Sequence, residues 1–161
     1  MAMASGRSVG EDVAAGKGFP EAAEDKWKRS LSMPAIDGAS RQVVKQFWAA
    51  IHDNDFHAAG ELLHDEYILD WPQSGERIQG RANFVAVNEH YPAAGPWRVT
   101  VHRLIAEGNE VVSEVTVTDG AQTGRAITFS TVREGRIVRQ TEYWPDPFAA
   151  AAWRAQWVLR M

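Results

Sequence analysis

From Ser40 onward the apolar positions recur first with the period of a helix and then with the period of a strand. Val43, Val44, Phe47, Trp48 and Ile51 are three and four residues apart. That is one stripe of a helix, which Ser40 would N-cap and which ends at about His52. Asp53-Asn54 breaks it. Asp55 then caps a second helix from Phe56 to about Leu63, with Phe56, Ala59, Leu62 and Leu63 inward. A strand is expected over Tyr67 to Trp71 (YILDW), ended by Pro72, which cannot donate to a ladder. Gln73 to Gly80 reads as a polar loop and Arg81 to His90 as a third helix, with Phe84, Val85 and Val87 apolar.

After Pro92 to Pro96 the period is two. Trp97 to Ala106, Glu110 to Thr118 and the stretch from Ala126 to Trp144 alternate apolar with polar residues, as strands half covered by a core do. Gly108-Asn109, Asp119-Gly120 and Glu134-Gly135 mark the turns of a four-stranded meander. On the last strand Ile137, Arg139, Thr141 and Tyr143 are expected to face one way, and Val138, Gln140, Glu142 and Trp144 the other. Phe148 to Leu159 is Ala-rich, with Trp153 and Trp157 at i,i+4, and predicts a final helix. Helices first and an antiparallel sheet after them is an α+β order. An antiparallel sheet curled round helices leaves a cone with an interior cavity.

Composition narrows the partners. The chain has 161 residues, enough for one domain and a tail, and 45 % of them are hydrophobic. Residues 1–39 are poor in large apolar side chains and read as a disordered extension, with at most a helical turn or two over Glu21 to Leu31. Met33-Pro34 makes a natural start for the folded part, and the domain is taken as residues 40–161. A net charge of −4 without a Lys/Arg cluster argues against nucleic acid as a partner. There is no cysteine, which removes disulfides, thiolate metal sites and Cys nucleophiles. No apolar run reaches the roughly 20 residues of a membrane span, and no secretory signal is seen, so the expected location is cytoplasmic.

Three stretches carry a family resemblance: the helical hairpin before Asp53-Asn54-Asp55, the segment YILDWPQSGERIQGR, and the closing REGRIVRQTEYWPDP. Residues 40–147 resemble the nuclear transport factor 2-like superfamily, in its SnoaL-like and ketosteroid-isomerase-like branch. The resemblance implies a cone-shaped α+β barrel, with three N-terminal helices packed in a strongly curved, mostly antiparallel sheet. It leaves the activity open among isomerases, cyclases, dehydratases, epoxide hydrolases and binding modules.

Asp70 is the first candidate for chemistry. An acid between Leu69 and Trp71, out of water, would have a raised pKa and suit a general base. The resemblance adds that the proton-shuttling Asp of ketosteroid isomerases lies in a similar strand-Asp-Pro context. The plainer alternative is a rim carboxylate capping loop N–H groups. Glu142 is the second candidate, as an acid/base partner or a ligand-orienting group. Its plainer alternative is a buried Glu paired with Arg98, Arg103 or Arg125. Phe47, Tyr67, Trp71 and Trp144 are expected as apolar pocket walls, with Gln140 and Thr128 as polar lining. By resemblance Phe47 and Thr128 fall where ketosteroid isomerases carry oxyanion donors. Phe47 cannot donate, so that particular isomerisation is not expected.

His52, His57, His64, His90 and His102 show no metal-ligand spacing, so neither metal nor cofactor is expected. Neither a phosphate-cradling glycine loop nor a nucleophile elbow is present. Val99, Val101, Val115, Val117, Ile127 and Phe129 are assigned to the outer face of the sheet. So apolar a face implies a homodimer. The reading is an acid/base enzyme on a small hydrophobic or polyketide-like molecule, or a non-catalytic binding or protein-interaction module of the same fold.

Overall fold

The computed structural model describes residues 34–161. Helix α1 spans Pro34–His52, α2 spans Phe56–Glu61 and α3 spans Arg81–His90. The strands are β1 (Leu63–Trp71), β2 (Glu76–Gln79), β3 (Arg98–Glu107), β4 (Glu110–Thr118), β5 (Thr123–Arg133) and β6 (Arg136–Tyr143). They form one sheet in the order β2-β1-β6-β5-β4-β3. β1 and β6 pair in parallel and every other neighbouring pair is antiparallel.

The α1 stripe is as the spacing predicts. Val44, Phe47, Trp48 and Ile51 are buried, and Trp48 donates its Nε1–H to Ser113 Oγ of β4 at 3.0 Å. The start of the helix differs. Pro34 opens it, at the position where a missing N–H costs nothing. Ser40 is buried one turn before Val44 and extends the same stripe. The extension expected over residues 1–33 lies outside the described residues. Asp55 caps α2 by accepting the Ala58 N–H at 2.8 Å. Asn54, at φ 60°, bonds both backbone groups of Trp97 through its amide, tying the helical hairpin to the start of β3.

The turns follow local chemistry. Glu134 and Gly135 are both at positive φ, 53° and 73°, as a two-residue hairpin loop with the right twist requires. The stretch Gln73–Gly80, expected as a loop, holds a short strand, β2, which pairs Asp70 with Arg77 and Leu69 with Ile78. β1 also begins earlier than expected, at Leu63.

Four residues face the other way from the sequence expectation. Val115 and Val117 line the inner face, 0 % and 7 % exposed, because α1 covers that side of β4. Val99 packs on the same core, and a bulge between Val101 and Arg103 then shifts the alternation, so Leu104 and Ala106 are inward and Ile105 is exposed. Ile137 is fully buried, at an irregularity in the β5–β6 pairing between Thr131 and Val132. The C-terminal segment is not the helix its alanines predict. It holds one 3₁₀ turn, Ala152–Arg154. Trp153 and Trp157 are 73 % and 72 % exposed, and without a core to pack on so short a helix is marginal in water.

Candidate functional site

The inner face of the sheet, α1 and α3 line a half-open cavity of about 830 Å³. Phe47, Trp48 and Ile51 come from α1, because i, i+1 and i+4 of one stripe share a face. Phe84, Val87 and Asn88 come from α3 by the same rule. Leu69 and Trp71 come from β1, and Gln140 and Glu142 from β6. Trp97, Tyr91 and Trp144 stand on the connecting segments.

Glu142 is the chemical centre of this wall. It is 7 % exposed. Its Oε1 accepts the indole N–H of Trp71 at 3.0 Å and of Trp144 at 2.8 Å, and its Oε2 accepts the Thr128 hydroxyl at 2.9 Å. Of Arg98, Arg103 and Arg125, the partners in the plainer alternative, the last two pair instead with Glu114, at 3.2 and 3.3 Å. Among the described residues no cation lies within ion-pair distance of Glu142. Burial therefore raises the Glu142 pKa, and the three neutral donors oppose that rise without cancelling it.

A second polar layer lies behind the wall. The Tyr67 hydroxyl donates to Gln140 Oε1 at 2.6 Å, and Gln140 Nε2 donates to Ser130 Oγ at 3.1 Å. Tyr67 is fully buried. That burial, and then the Glu142 charge, holds its pKa well above the usual phenol value. Trp144 is fixed from outside. Gln73 accepts its backbone N–H at 2.5 Å and donates to its carbonyl at 3.0 Å. Gly124 lets the indole lie against β5, since a Cβ there would sit 3.1 Å from the ring.

Five of the expected site residues therefore line the cavity: Phe47, Trp71, Gln140, Glu142 and Trp144. Tyr67 and Thr128 stand behind it and donate to Gln140 and Glu142. Asp70 does not join them. Alternation along β1 points Leu69 and Trp71 inward and Asp70 to the opposite face. There Arg77 holds it at 2.5 and 3.0 Å and Arg139 at 2.7 Å. The Arg77 hydrogen bond leads in lowering its pKa, with Arg139 adding to it, the reverse of the shift a neutral-pH base needs. Trp48, Phe84 and Asn88 line the cavity without having been expected there, although α1 and α3 spacing places them beside Phe47 and Val87.

His52 and His102 bond groups of the sheet. His52 Nδ1 lies 3.1 Å from both backbone atoms of Val99, and His102 bonds Thr116 at 2.7 Å. Among the described residues no three His, Asp or Glu side chains come together as a metal would need, and no helix is long and apolar enough to cross a membrane.

The model of the SnoaL-like domain matches residues 44–140, ending two residues before Glu142. A nuclear transport factor 2-like protein of unknown function from Burkholderia xenovorans is 34 % identical, with a TM-score of 0.66 over 78 % of this chain and 98 % of that one. A candidate ketosteroid isomerase from Kribbella flavida is 28 % identical, with a TM-score of 0.72 over 78 % and 91 % of the two chains. An epoxide hydrolase from M. tuberculosis, 21 % identical with a TM-score of 0.58 over 68 % and 84 %, shares the fold. No curated protein matches the sequence.

Proposed function

We propose, for a chain that belongs to the SnoaL-like domain family, an acid/base enzyme in which Glu142 takes and returns a proton on a small, largely apolar molecule held in the aromatic cavity. The observation that carries this reading is the state of Glu142. It is a desolvated carboxylate on a cavity wall, held by neutral donors alone, with a pKa moved up toward the range of a working acid or base. Membership of the family supports the isomerase and cyclase class at most. By resemblance the oxyanion positions of ketosteroid isomerases correspond to Phe47 and Thr128, and the Thr128 hydroxyl is already directed at Glu142. That observation favours the second reading, a small-molecule binder without turnover.

The two readings part in one experiment. Aryl ketones, enones, epoxides and amino ketones are incubated with the protein in deuterium oxide and followed by proton NMR. Proton exchange or product formation that disappears in Glu142→Gln is the expected result. A panel left unchanged by the wild type, or turned over equally by Glu142→Gln, removes the enzyme and leaves the binder.

A homodimer through the outer sheet face is also proposed. Ile105, Phe129 and Tyr143 are exposed there, and Phe129 and Tyr143 pack edge to face with centroids 6.2 Å apart. Light scattering of the wild type and of Phe129→Glu tests it, and a monomeric wild type refutes it.

A further inference from the structure

We infer that the cavity takes a protonated amine carried on a small apolar body, its N–H donating to the free acceptor position of Glu142. The inference deepens the reading above and rests on its placing of Glu142 in the cavity wall as the group that meets the ligand.

A carboxylate has about four lone-pair positions. Trp71 and Trp144 fill two of them on Oε1, and Thr128 fills one on Oε2. One position on Oε2 remains, and Glu142 faces the cavity. A proton or a cationic donor can occupy it. Most buried carboxylates have a guanidinium or ammonium of their own chain beside them. This one has indoles and a hydroxyl.

The walls match that open position. Phe47, Trp48, Trp71, Tyr91, Trp97 and Trp144 all line the same cavity. Aromatic faces attract cations, indole most strongly, and they attract them more when water is excluded. A neutral ligand would use these rings only as apolar surface. An ammonium ion would use the carboxylate, and with it any ring face that borders the same space. The single open position favours one N–H, so a tertiary amine fits better than a quaternary ammonium, which has none.

The other charged and titratable groups near Glu142 do not compete. Tyr67 of β1 donates to Gln140 and stays neutral. Arg125 of β5 also borders the cavity, and its guanidinium is paired with Glu114 at 3.3 Å. Asp146, after β6, adds negative charge to the lining. The lining residues of α1 and α3 are uncharged. The proton step is balanced within the pair. The N–H bond breaks, an O–H bond forms on Oε2, and the nitrogen lone pair is released for reaction. The reverse transfer restores both.

The test uses the indole N–H resonances of Trp71 and Trp144, assigned by Trp71→Phe and Trp144→Phe. The whole protein is titrated with N,N-dimethylbenzylamine, with its neutral carbon isostere isobutylbenzene, and with benzyltrimethylammonium. The tertiary amine is expected to bind at least about tenfold more tightly than the isostere and more tightly than the quaternary ion. Glu142→Gln, which keeps the shape and the hydrogen bonds, should abolish that preference. An isostere that binds as well as the amine overturns the inference, as does a preference unchanged in Glu142→Gln or the absence of any shift with all three probes. Ketone turnover lost in Glu142→Gln without amine preference overturns it while leaving the acid/base reading intact. Amine preference without any proton exchange supports it and sinks the enzyme.

Discussion

Asp70 and Glu142 sit on neighbouring strands, and Asp70 pairs in register with Thr141, one residue before Glu142. They are the same functional group on opposite faces of one sheet, and their surroundings push them apart. Asp70 meets two guanidiniums and stays ionised to lower pH. Glu142 meets two indoles and a hydroxyl, and its burial favours the neutral form. A carboxylate surrounded by arginines has its charge satisfied by the fold. A carboxylate surrounded by neutral donors keeps unsatisfied capacity, which a substrate can use.

Neutralising each acid in turn separates the two faces most clearly. Glu142→Gln should lower turnover of any substrate found by about 10²- to 10⁴-fold, the usual worth of a general acid or base. Asp70→Asn should leave turnover near that of the wild type. Single-turnover rates on the same compound measure both. Equal losses would mean that the outer carboxylate supports the site through β1, and the two faces would no longer be separable.

That separation is partly legible in the sequence. Tyr67 and Trp71 are assigned inward, and a period of two then forces Asp70 outward. The apolar flanks Leu69 and Trp71 make Asp70 look buried in a hydrophobic setting, although in a strand adjacent residues face opposite ways. Its partner Arg77 lies in a stretch that reads as loop, because β2 offers only one inward apolar residue, Ile78, in four. Turns and the α1 stripe are legible because they depend on neighbours in sequence. The bulge between Val101 and Arg103 and the exposure of Trp153 are not, since both are decided by what packs across the fold. The period of two is enough to turn Gln140 and Glu142 inward, but it gives no sign of the indole donors of Trp71 and Trp144.

Next in size is the layer behind the cavity. Tyr67→Phe removes the donor to Gln140 Oε1 and leaves a fully buried acceptor unsatisfied. It should cost about 1–3 kcal/mol in urea unfolding. A cost near zero would show Gln140 free to turn elsewhere, and the wall less fixed than its bonds imply.

The pH dependence of stability should carry opposite signs on the two faces. Asp70 has a lowered folded pKa. Its contribution is present above its unfolded pKa and is lost as pH falls through the folded value. Glu142 has a raised folded pKa. Its contribution is present below the unfolded value and is lost as pH rises through the folded one. Melting followed against pH should therefore show acid sensitivity relieved by Asp70→Asn. It should also show a decline above the unfolded pKa of Glu142 that Glu142→Gln removes. The glutamine can still accept from both indoles and donate to Thr128, so at neutral pH this variant should be at least as stable as the wild type. A clear loss of stability in Glu142→Gln would mean that the ionised form is favoured by the fold, contrary to its setting.

The smallest effect belongs to the outer ion pairs taken one at a time. Arg77 and Arg139 both reach Asp70, and their side chains are 54 % and 53 % exposed. Water and salt screen each pair, and removing one guanidinium leaves the other in place. Arg77→Ala should cost about 0.2–1 kcal/mol and less at high salt, measured by urea unfolding at two ionic strengths. The double change Arg77→Ala with Arg139→Ala should exceed the sum of the singles, because only then does Asp70 lose every cation that holds its pKa down. Strict additivity would show that neither arginine compensates for the other. Asp70 would then be held by its position on the sheet, and the contrast with Glu142 would rest on burial alone.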